Sequence, residues 1–397
     1  MSEWPTDPVA LADAFRDFVR AHVPPGLVGT AGGPFEGYWG GRLRAGATPD
    51  RLAWLGIMAE HGLTAPTFAP EHGGAGLSAA QAQVLRDVLG ELQVPPPLVG
   101  FGLAMLAPVL QQFGTEAQKR TYLTAIARGD LRWCQGYSEP GAGSDLASLA
   151  CRAERDGDTF VLNGSKIWTS HADLSDWMFC LVRTRTGPRK QEGITFILID
   201  LRSPGVQIRP ILLISGASPF CEVFFEDVRV PAEQVVHEVD AGWTVAKALL
   251  QHERTAIGVA IGGQLSQAEG ELVSLARRAL DTPEGPLPGA VAQDLARFGM
   301  EAACFDLTRT RLLGGPAGPE SSTLKLAGTE LKQRRLQLAM QLAGPDALGW
   351  SPEGFEPGTV QVAREWLRSR GNSIEGGTSE IQLNIIARRV LGLPEGA

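Results

Sequence analysis

The chain has 397 residues, of which 44% are hydrophobic and 20% are charged, and its formal net charge is −8. This composition is typical of a globular protein with two or three domains, not of a disordered or fibrous chain. The 44 acidic residues outnumber the 36 basic ones, which argues against binding to a nucleic-acid backbone. No apolar run approaches the roughly 20 residues that cross a bilayer.

The cysteines and the first residues bear on the cellular compartment. The five cysteines are far apart, with no Cys-x-x-Cys pair and no Cys/His spacing typical of metal ligands. The N-terminal sequence MSEWPTDPVALADAF lacks the basic start and apolar core of a signal peptide. We therefore expect a reduced, cytoplasmic protein with no bound metal and no membrane association.

Residues 1–130 show the apolar spacing of helices, interrupted by loops rich in proline and glycine. Thr115 and Pro49 are typical helix-start signals. The pattern predicts helices over Pro8–Val23, Pro49–His61, Ser78–Leu92, Gly102–Phe113 and Glu116–Arg128.

Between 131 and 235 the pattern changes to short runs rich in β-branched and aromatic residues. The runs are TFVLNGSKIW, DWMFCLVRT, ITFILIDL, VQIRPILL and CEVFFEDVRV. Five or more strands at this spacing predict a β-barrel or sandwich. Asn163-Gly164 is a hairpin-turn signal, so we expect a turn there and a new strand after it.

From Gly242 the helical period returns and continues to the end of the chain. We expect one or two long helices up to Leu280, then helices over 290–313 and 321–342, and a final pair over 361–370 and 378–391. The order predicts an α+β fold with three parts: an N-terminal helical domain (1–130), a middle β-barrel or sandwich domain (131–235) and a C-terminal helical bundle (236–397).

The segment WCQGYSEPGAGSD, residues 133–145, is the most unusual in the chain. Gly141 and Gly143 permit φ > 0 and a close approach of backbone N–H groups to an anion or a ring. Ser138 and Ser144 add hydroxyl donors. A polar loop between two domains explains the same composition.

A second segment, NGSKIWTS at residues 163–170, carries an aromatic surface and two hydroxyls. Trp168 offers a flat face for a ring, and Thr169 or Ser170 could place a hydroxyl at a ring nitrogen. The alternative is a core tryptophan on an amphipathic strand.

YSEPGAGSDLAS, NGSKIWTS and CEVFFEDVRVP together closely resemble the middle domain of the acyl-CoA dehydrogenases. The helical–β–helical order and the ending GGTSEIQLNIIARRVLGLP are similar to that family as well. The resemblance spans nearly the whole chain. It implies an FAD-dependent enzyme of lipid metabolism that converts an acyl-CoA to the trans-2-enoyl-CoA. Electrons would pass to an electron-transfer flavoprotein, in a homo- or hetero-oligomer such as a dimer or tetramer.

The resemblance also implies which residues contact the cofactor. Ser138, with its backbone N–H, matches the group at the flavin pyrimidine oxygen, and Ser144 matches a residue near both cofactor and acyl-CoA. Tyr137 stands where the family usually has an aliphatic residue, and Pro345 replaces a family glycine. The implied cofactor contacts are Gln135, Tyr137, Ser138, Gly143, Ser144, Trp168, Thr169, Ser170, Gln341, Gly344, Gly377, Thr378, Ser379 and Glu380.

The position of the catalytic base differs among branches of the family that this chain resembles. Much of the family has a Glu directly before Gly-Thr near the C-terminus; here that position is Gly376, whose N–H is expected to donate to the thioester carbonyl. Other branches take the base from the helix after the β domain, at the residue before an arginine. That residue here is Glu253, with His252 and Arg254 beside it as expected substrate contacts. We predict Glu253 as the base and keep Glu375 as the alternative.

One family motif, Arg-x-x-Phe-Gly, which reaches the FAD of a neighbouring subunit, is missing. Ala279 falls near its arginine, and Arg277 and Arg278 are possible substitutes. A different subunit could therefore complete the FAD site. Alternative functions are an acyl-CoA oxidase, a nitroalkane-type flavin oxidase, or a non-catalytic subunit of a hetero-oligomeric dehydrogenase.

Overall fold

The computed structural model describes residues 4–30, 37–250, 268–280, 287–313, 318–351, 353–355 and 357–394. The chain divides into two compact units. The first unit comprises Met1–Ile211 and Pro219–Leu249, and the second comprises Leu212–Ser218 and Leu250–Ala397. The first contains the N-terminal helices and the β-sheet, and the second contains the C-terminal helices.

Among the described residues before the sheet there are six short or medium α-helices, in good agreement with the predicted helical zone. Two helix starts are those that the sequence signals: Thr115 forms a capping box with Gln118, and Pro49 is the first helical residue after the N-cap Thr48. π-Helical turns Gly102–Leu106 and Lys119–Leu123 precede α4 and α6. The helices are α1 Pro8–His22, α2 Pro49–Glu60, α3 Ala79–Glu91, α4 Ala107–Phe113, α5 Glu116–Gln118 and α6 Thr124–Ala127.

In the part of the chain that the structure describes, seven strands of the first unit form one curled sheet that packs on an apolar core. The strand order is β1-β4-β2-β3-β7-β6, with β5 paired to β4. β1 and β4 are parallel, while β2–β3, β3–β7, β4–β5 and β6–β7 are antiparallel. The strands are β1 Trp133–Gly136, β2 Arg152–Asp156, β3 Thr159–Ser170, β4 Trp177–Arg183, β5 Ile194–Asp200, β6 Val206–Ile211 and β7 Phe220–Pro231.

The hairpin turn predicted at Asn163-Gly164 was wrong, because β3 runs straight through these residues. The register between β3 and β7 shifts between Leu162 and Gly164, which is a bulge. The Asn163 amide bonds the carboxylate and the backbone N–H of Asp227 on β7, at 3.0 Å each. Asn163-Gly164 therefore forms a bulge within one strand and not a hairpin turn between two strands.

Residues 242–250 are helical and are labelled α7; residues 242–249 belong to the first unit and Leu250 to the second. The described part of the second unit contains five further helices. Its apolar core includes Leu272, Phe298, Leu324 and Leu331. Residues 251–267 of the predicted long helix lie outside the described residues. The helices are α8 Ala268–Ala279, α9 Gly289–Leu313, α10 Ser321–Ala343, α11 Pro357–Ser369 and α12 Ser379–Ile385, with a π-helical turn Ile386–Val390 after α12.

The described residues contain neither a membrane-spanning helix nor a cluster of metal-ligating side chains. Among them, no helix has the length and apolar character needed to cross a membrane. In the same part of the chain, no group of three or more His, Cys, Asp or Glu side chains lies close enough to hold a metal ion.

Candidate active site

The structure joins the two unusual segments of the middle region directly. Strand β1 ends at Gly136, and the chain continues into the loop that carries Ser138. The Ser138 carbonyl accepts a hydrogen bond of 2.9 Å from the Ile167 N–H on β3. Ser138 and Trp168, which come from motifs 30 positions apart, therefore lie on adjoining backbone.

Trp168 is held in a conformation that is unusual for a non-glycine residue. Its φ is +60°, and the register between β3 and β7 shifts between Lys166 and Thr169. The bulge leaves the indole 54% exposed, in edge contact with Phe220 at 6.1 Å between ring centroids. Positive φ at a bulky residue is costly and is often associated with functional sites. The core-tryptophan alternative is therefore excluded for Trp168.

The two hydroxyl residues after Trp168 have different surroundings. Thr169 is fully buried, and its Oγ1 has no hydrogen-bond partner among the described residues. Ser170 is only partly buried. Of the two, Ser170 is the one that a ligand beside Trp168 can reach without entering the core.

The two glycines of the loop do not use the left-handed conformation that glycine permits. Neither Gly141 nor Gly143 has φ in that region. A Cβ built on either residue meets no atom within 4 Å. The space beside both glycines is therefore open, which is the property that a close approach by a ligand requires. Ser144 next to them is exposed.

Gln135 and Tyr137 flank Gly136 on the same segment but differ in exposure. Gln135 is partly buried on β1, opposite Phe179 of β4. The Tyr137 ring is buried and makes edge contacts with Phe179 and Phe196, at 6.2 and 6.4 Å between centroids. Tyr137 thus packs into an aromatic cluster beneath the loop.

A buried ion pair that the sequence analysis missed anchors this loop. Lys166 Nζ lies 2.7 Å from Glu139 Oε1, and both side chains are buried. The sequence contains a signal for it. Phe160, Leu162 and Lys166 all occupy even-numbered positions of β3, and alternate residues of a strand share a face, so the lysine is expected to face the core. A buried lysine needs a partner, and Glu139 is one of the two carboxylates inside the loop motif.

In the second unit, the loop before α12 has a backbone that only glycine adopts readily. Gly376 and Gly377 have φ of +65° and +93°. Gln382 Nε2 donates to the Gly376 carbonyl at 2.9 Å, and Lys325 Nζ donates to the Gly377 carbonyl at 2.7 Å. Within the described residues, the Gly376 N–H makes no hydrogen bond.

The start of α12 holds the remaining residues of that loop. Thr378 is the N-cap and accepts from the Ile381 N–H at 3.3 Å, and Ser379 is partly buried. Hydrogen bonds from its own backbone N–H and from Thr378 lower the pKa of the exposed Glu380 carboxyl. These residues form a polar helix start that faces solvent in the described chain.

Gln341 and Gly344 lie at the C-terminal end of α10. Gln341 is exposed, and Gly344 ends the helix with φ +58° and ψ −136°, a combination that favours glycine strongly. A Cβ at Gly344 would meet no atom within 4 Å. Pro345 continues the chain into a short 3-10 turn.

Of the two candidate bases, only Glu375 lies in the described chain. Its Oε2 accepts from Arg368 Nη2 at 2.7 Å, and its Oε1 accepts from Asn372 Nδ2. Each of the two carboxylate oxygens therefore accepts a hydrogen bond from a neighbouring side chain. Glu253, His252 and Arg254 lie outside the described residues.

Comparisons with known proteins match all three parts of the chain. Three acyl-CoA dehydrogenase models match: the N-terminal domain over 6–130, the middle domain over 134–228 and the C-terminal domain over 240–391. The acyl-CoA dehydrogenase IpdE1 of Mycobacterium tuberculosis is 39% identical over 391 residues, 97% of this chain and 98% of IpdE1.

Two solved structures with similar folds also cover nearly the whole chain. One is described as the Tcur3481-Tcur3483 steroid ACAD (TM-score 0.77, 28% identity, covering 99% of each chain). The other is the ChsE4-ChsE5 complex from Mycobacterium tuberculosis (TM-score 0.74, 29% identity, covering 100% of each chain). With its helical N-terminal part, curled sheet and helical C-terminal part, this chain belongs to the acyl-CoA dehydrogenase family of flavin-dependent oxidoreductases that act on CH–CH bonds.

Proposed function

We propose that this chain binds FAD and catalyses α,β-dehydrogenation of an acyl-CoA thioester, with an electron-transfer flavoprotein as electron acceptor. The main supporting observation is the hydrogen bond between Ser138 and Ile167. It holds the Ser138 loop beside the exposed face of Trp168, so that both can contact one planar ligand.

The residues present are suited to FAD. Open space beside Gly141 and Gly143 allows the loop backbone to approach the cofactor, and the Trp168 indole offers an aromatic surface. We assign to FAD the residues Gln135, Ser138, Gly143, Ser144, Trp168 and Ser170 of the first unit, with Thr169 and Tyr137 supporting them from the buried side. When bound, FAD supplies the acceptor for the hydride that leaves the β-carbon.

Residues of the second unit are assigned by the same family pattern. Gln341, Gly344, Gly377, Thr378, Ser379 and Glu380 are proposed FAD contacts. The Gly376 N–H is proposed to donate to the thioester carbonyl, where it stabilises the negative charge that develops as the α-proton leaves. Its lack of an acceptor in the described chain supports this role.

Glu253 is proposed as the base that removes the α-proton, with His252 and Arg254 near the substrate. The contacts of Glu375 support this choice, because Arg368 and Asn372 occupy both of its oxygens. To turn towards a substrate, this carboxylate would have to give up its hydrogen bonds to both donors.

The first substrate class to test is a steroid-derived acyl-CoA. The first partner to test is a different subunit that would form a hetero-oligomer with this chain. Two similar structures are described as a steroid ACAD and as a two-protein complex. The missing Arg-x-x-Phe-Gly motif favours a hetero-oligomer, in which the other chain completes the FAD site. The replacement of the usual Glu by Gly376 leaves a non-catalytic subunit as the second candidate function.

The decisive experiment is an anaerobic titration of the purified protein with a panel of acyl-CoAs, monitored by loss of the flavin absorption band. Bleaching by at least one thioester is expected in the wild type, and Glu253→Gln should keep FAD but lose bleaching. Full bleaching by Glu253→Gln together with none by Glu375→Gln would reverse the assignment of the base.

The same titration distinguishes the alternatives. A protein that is colourless alone and does not bleach would be a partner subunit. Rapid O₂ consumption after bleaching would identify an oxidase.

A further inference from the structure

Beneath the Ser138 loop lies an ion pair that the proposed chemistry does not use. The Lys166 side chain is 0% exposed and that of Glu139 is 8% exposed, with 2.7 Å between Nζ and Oε1. Charged side chains are rarely buried to this extent, because removing them from water is costly.

Each end of the pair holds a different piece of backbone. Lys166 Nζ donates a second hydrogen bond to the Tyr137 carbonyl, at 3.2 Å. The Glu139 carboxylate accepts from the N–H groups of Ala150 and Cys151, at 2.6 and 3.0 Å. The pair therefore ties the residue before Ser138 and the residue after it to β3 and to the start of β2.

The backbone around the pair completes this arrangement. Glu139 and Ala142 exchange two hydrogen bonds of 3.0 Å, which closes the turn that leads to Gly143. Ile167, next to Lys166, donates to the Ser138 carbonyl. The bulge that turns Trp168 outward begins at Lys166. Lys166 thus sits where the loop and the bulge are fixed to each other.

Stability alone does not explain such a pair. Buried ion pairs can often be replaced by apolar side chains of similar volume without loss of stability, whereas their directional bonds define one arrangement of the surrounding backbone. Apolar side chains in the same space would leave the Tyr137 carbonyl and two N–H groups free to shift.

We propose that Glu139 and Lys166 are positioning residues that set the distance between the Ser138 backbone and Trp168, and thereby the affinity and reduction potential of bound FAD. The inference rests on the proposed function, since it presupposes that this loop holds FAD. Neither side chain is assigned a contact with the cofactor.

The test compares wild type with Glu139→Leu/Lys166→Met, which removes both charges together and leaves no unpaired ion. The matched control is Lys190→Met, which breaks a lysine–carboxylate contact of 2.6 Å with Asp145 beside the same loop, where the two side chains are 63% and 57% exposed. Apo-protein is titrated with FAD, and the midpoint potential of the bound flavin is measured without substrate. Urea unfolding of the apo-protein reports folding.

We expect the double variant to fold, to bind FAD about tenfold or more weakly, and to shift the flavin potential towards that of free FAD. Lys190→Met should match wild type in all three measurements. If the double variant does not fold, Glu139→Gln, which keeps the shape of the side chain, takes its place with the same expectation.

A folded variant with the wild-type Kd and potential overturns the positioning role. Failure of both variants to fold, while Lys190→Met folds, also overturns it, because the pair would then be required for the fold itself. A wild-type protein that binds no FAD refutes the proposed function instead, and the two failures are therefore distinguishable.

Discussion

Gly143 allows cofactor binding to be perturbed separately from folding. A Cβ at this residue would meet no protein atom within 4 Å, and its φ lies outside the left-handed region. Alanine there introduces neither a clash nor backbone strain. We expect the free energy of unfolding of Gly143→Ala to be unchanged or raised by up to about 1 kcal/mol, because alanine lowers the entropy of the unfolded chain.

The same methyl group would stand in the space that we assign to FAD. A ligand in van der Waals contact with the Gly143 backbone must move away to admit it, and dispersion contacts weaken steeply over such a gap. We therefore expect the Kd of FAD to rise about tenfold, equivalent to about 1.4 kcal/mol.

The assay pairs two measurements on the apo-protein: quenching of flavin fluorescence during titration with FAD, and urea unfolding in its absence. Gly56→Ala is the matched control, because a Cβ at Gly56 also meets nothing within 4 Å but lies on α2. It should stabilise the fold by about 0.5–1 kcal/mol and leave the Kd unchanged. A wild-type Kd in Gly143→Ala would refute the close approach of FAD, and a loss of stability would refute the open space.

Three further outcomes follow from burial and charge. Lys325→Met should lower the free energy of unfolding by about 1.5–3 kcal/mol, because it removes the hydrogen bond from a buried ammonium to the Gly377 carbonyl. The control is Lys119→Met, which breaks an exposed ion pair and should lower that free energy by less than about 1 kcal/mol in the same urea titration. Iodoacetamide should alkylate the exposed Cys304 quickly in the native protein and spare the other four cysteines, because burial raises the pKa values of their thiols. Rapid labelling of more than one thiol, detected by mass spectrometry, would contradict this. Burial lowers the pKa of His171 below its usual 6.5, so the unfolded chain takes up the proton first and the free energy of unfolding should fall as the pH drops below 6.5. His171→Gln should lessen that slope, and an unchanged slope would show that other groups cause it.

Apolar periodicity predicted the helices of this chain well but missed strands that bury little. The predicted helix Pro8–Val23 differs by one residue from the observed Pro8–His22. Strand β2, Arg152–Asp156, was not predicted, because only Ala153 of its five residues is buried and no alternation marks it. Strand β1 is four residues long and was interpreted as part of the loop that follows it.

Motif chemistry located the candidate site but not the forces that shape it. Their residue types left Ser138 and Trp168 open to other interpretations, and the flavin was inferred from the resemblance to acyl-CoA dehydrogenases; the structure places their backbones side by side. The positive φ of Trp168 could not be inferred, because it arises from a bulge against β7. Glu375 contacts Arg368 and Asn372, which lie only seven and three positions earlier, but these contacts depend on the conformation of the turn before α12, which apolar periodicity does not predict.

The parallel pairing of β1 with β4 has a consequence for the order of folding events. Trp133 pairs with Trp177, 44 positions later in the chain, and Glu139 meets Lys166 across 27 positions. Contacts of such sequence separation form slowly, because closing the long intervening loop costs conformational entropy. We therefore expect the Ser138 loop to reach its final conformation only after β2, β3 and β4 have assembled. We expect FAD to bind a sheet that is already complete, so that added FAD slows unfolding without accelerating the folding of the sheet.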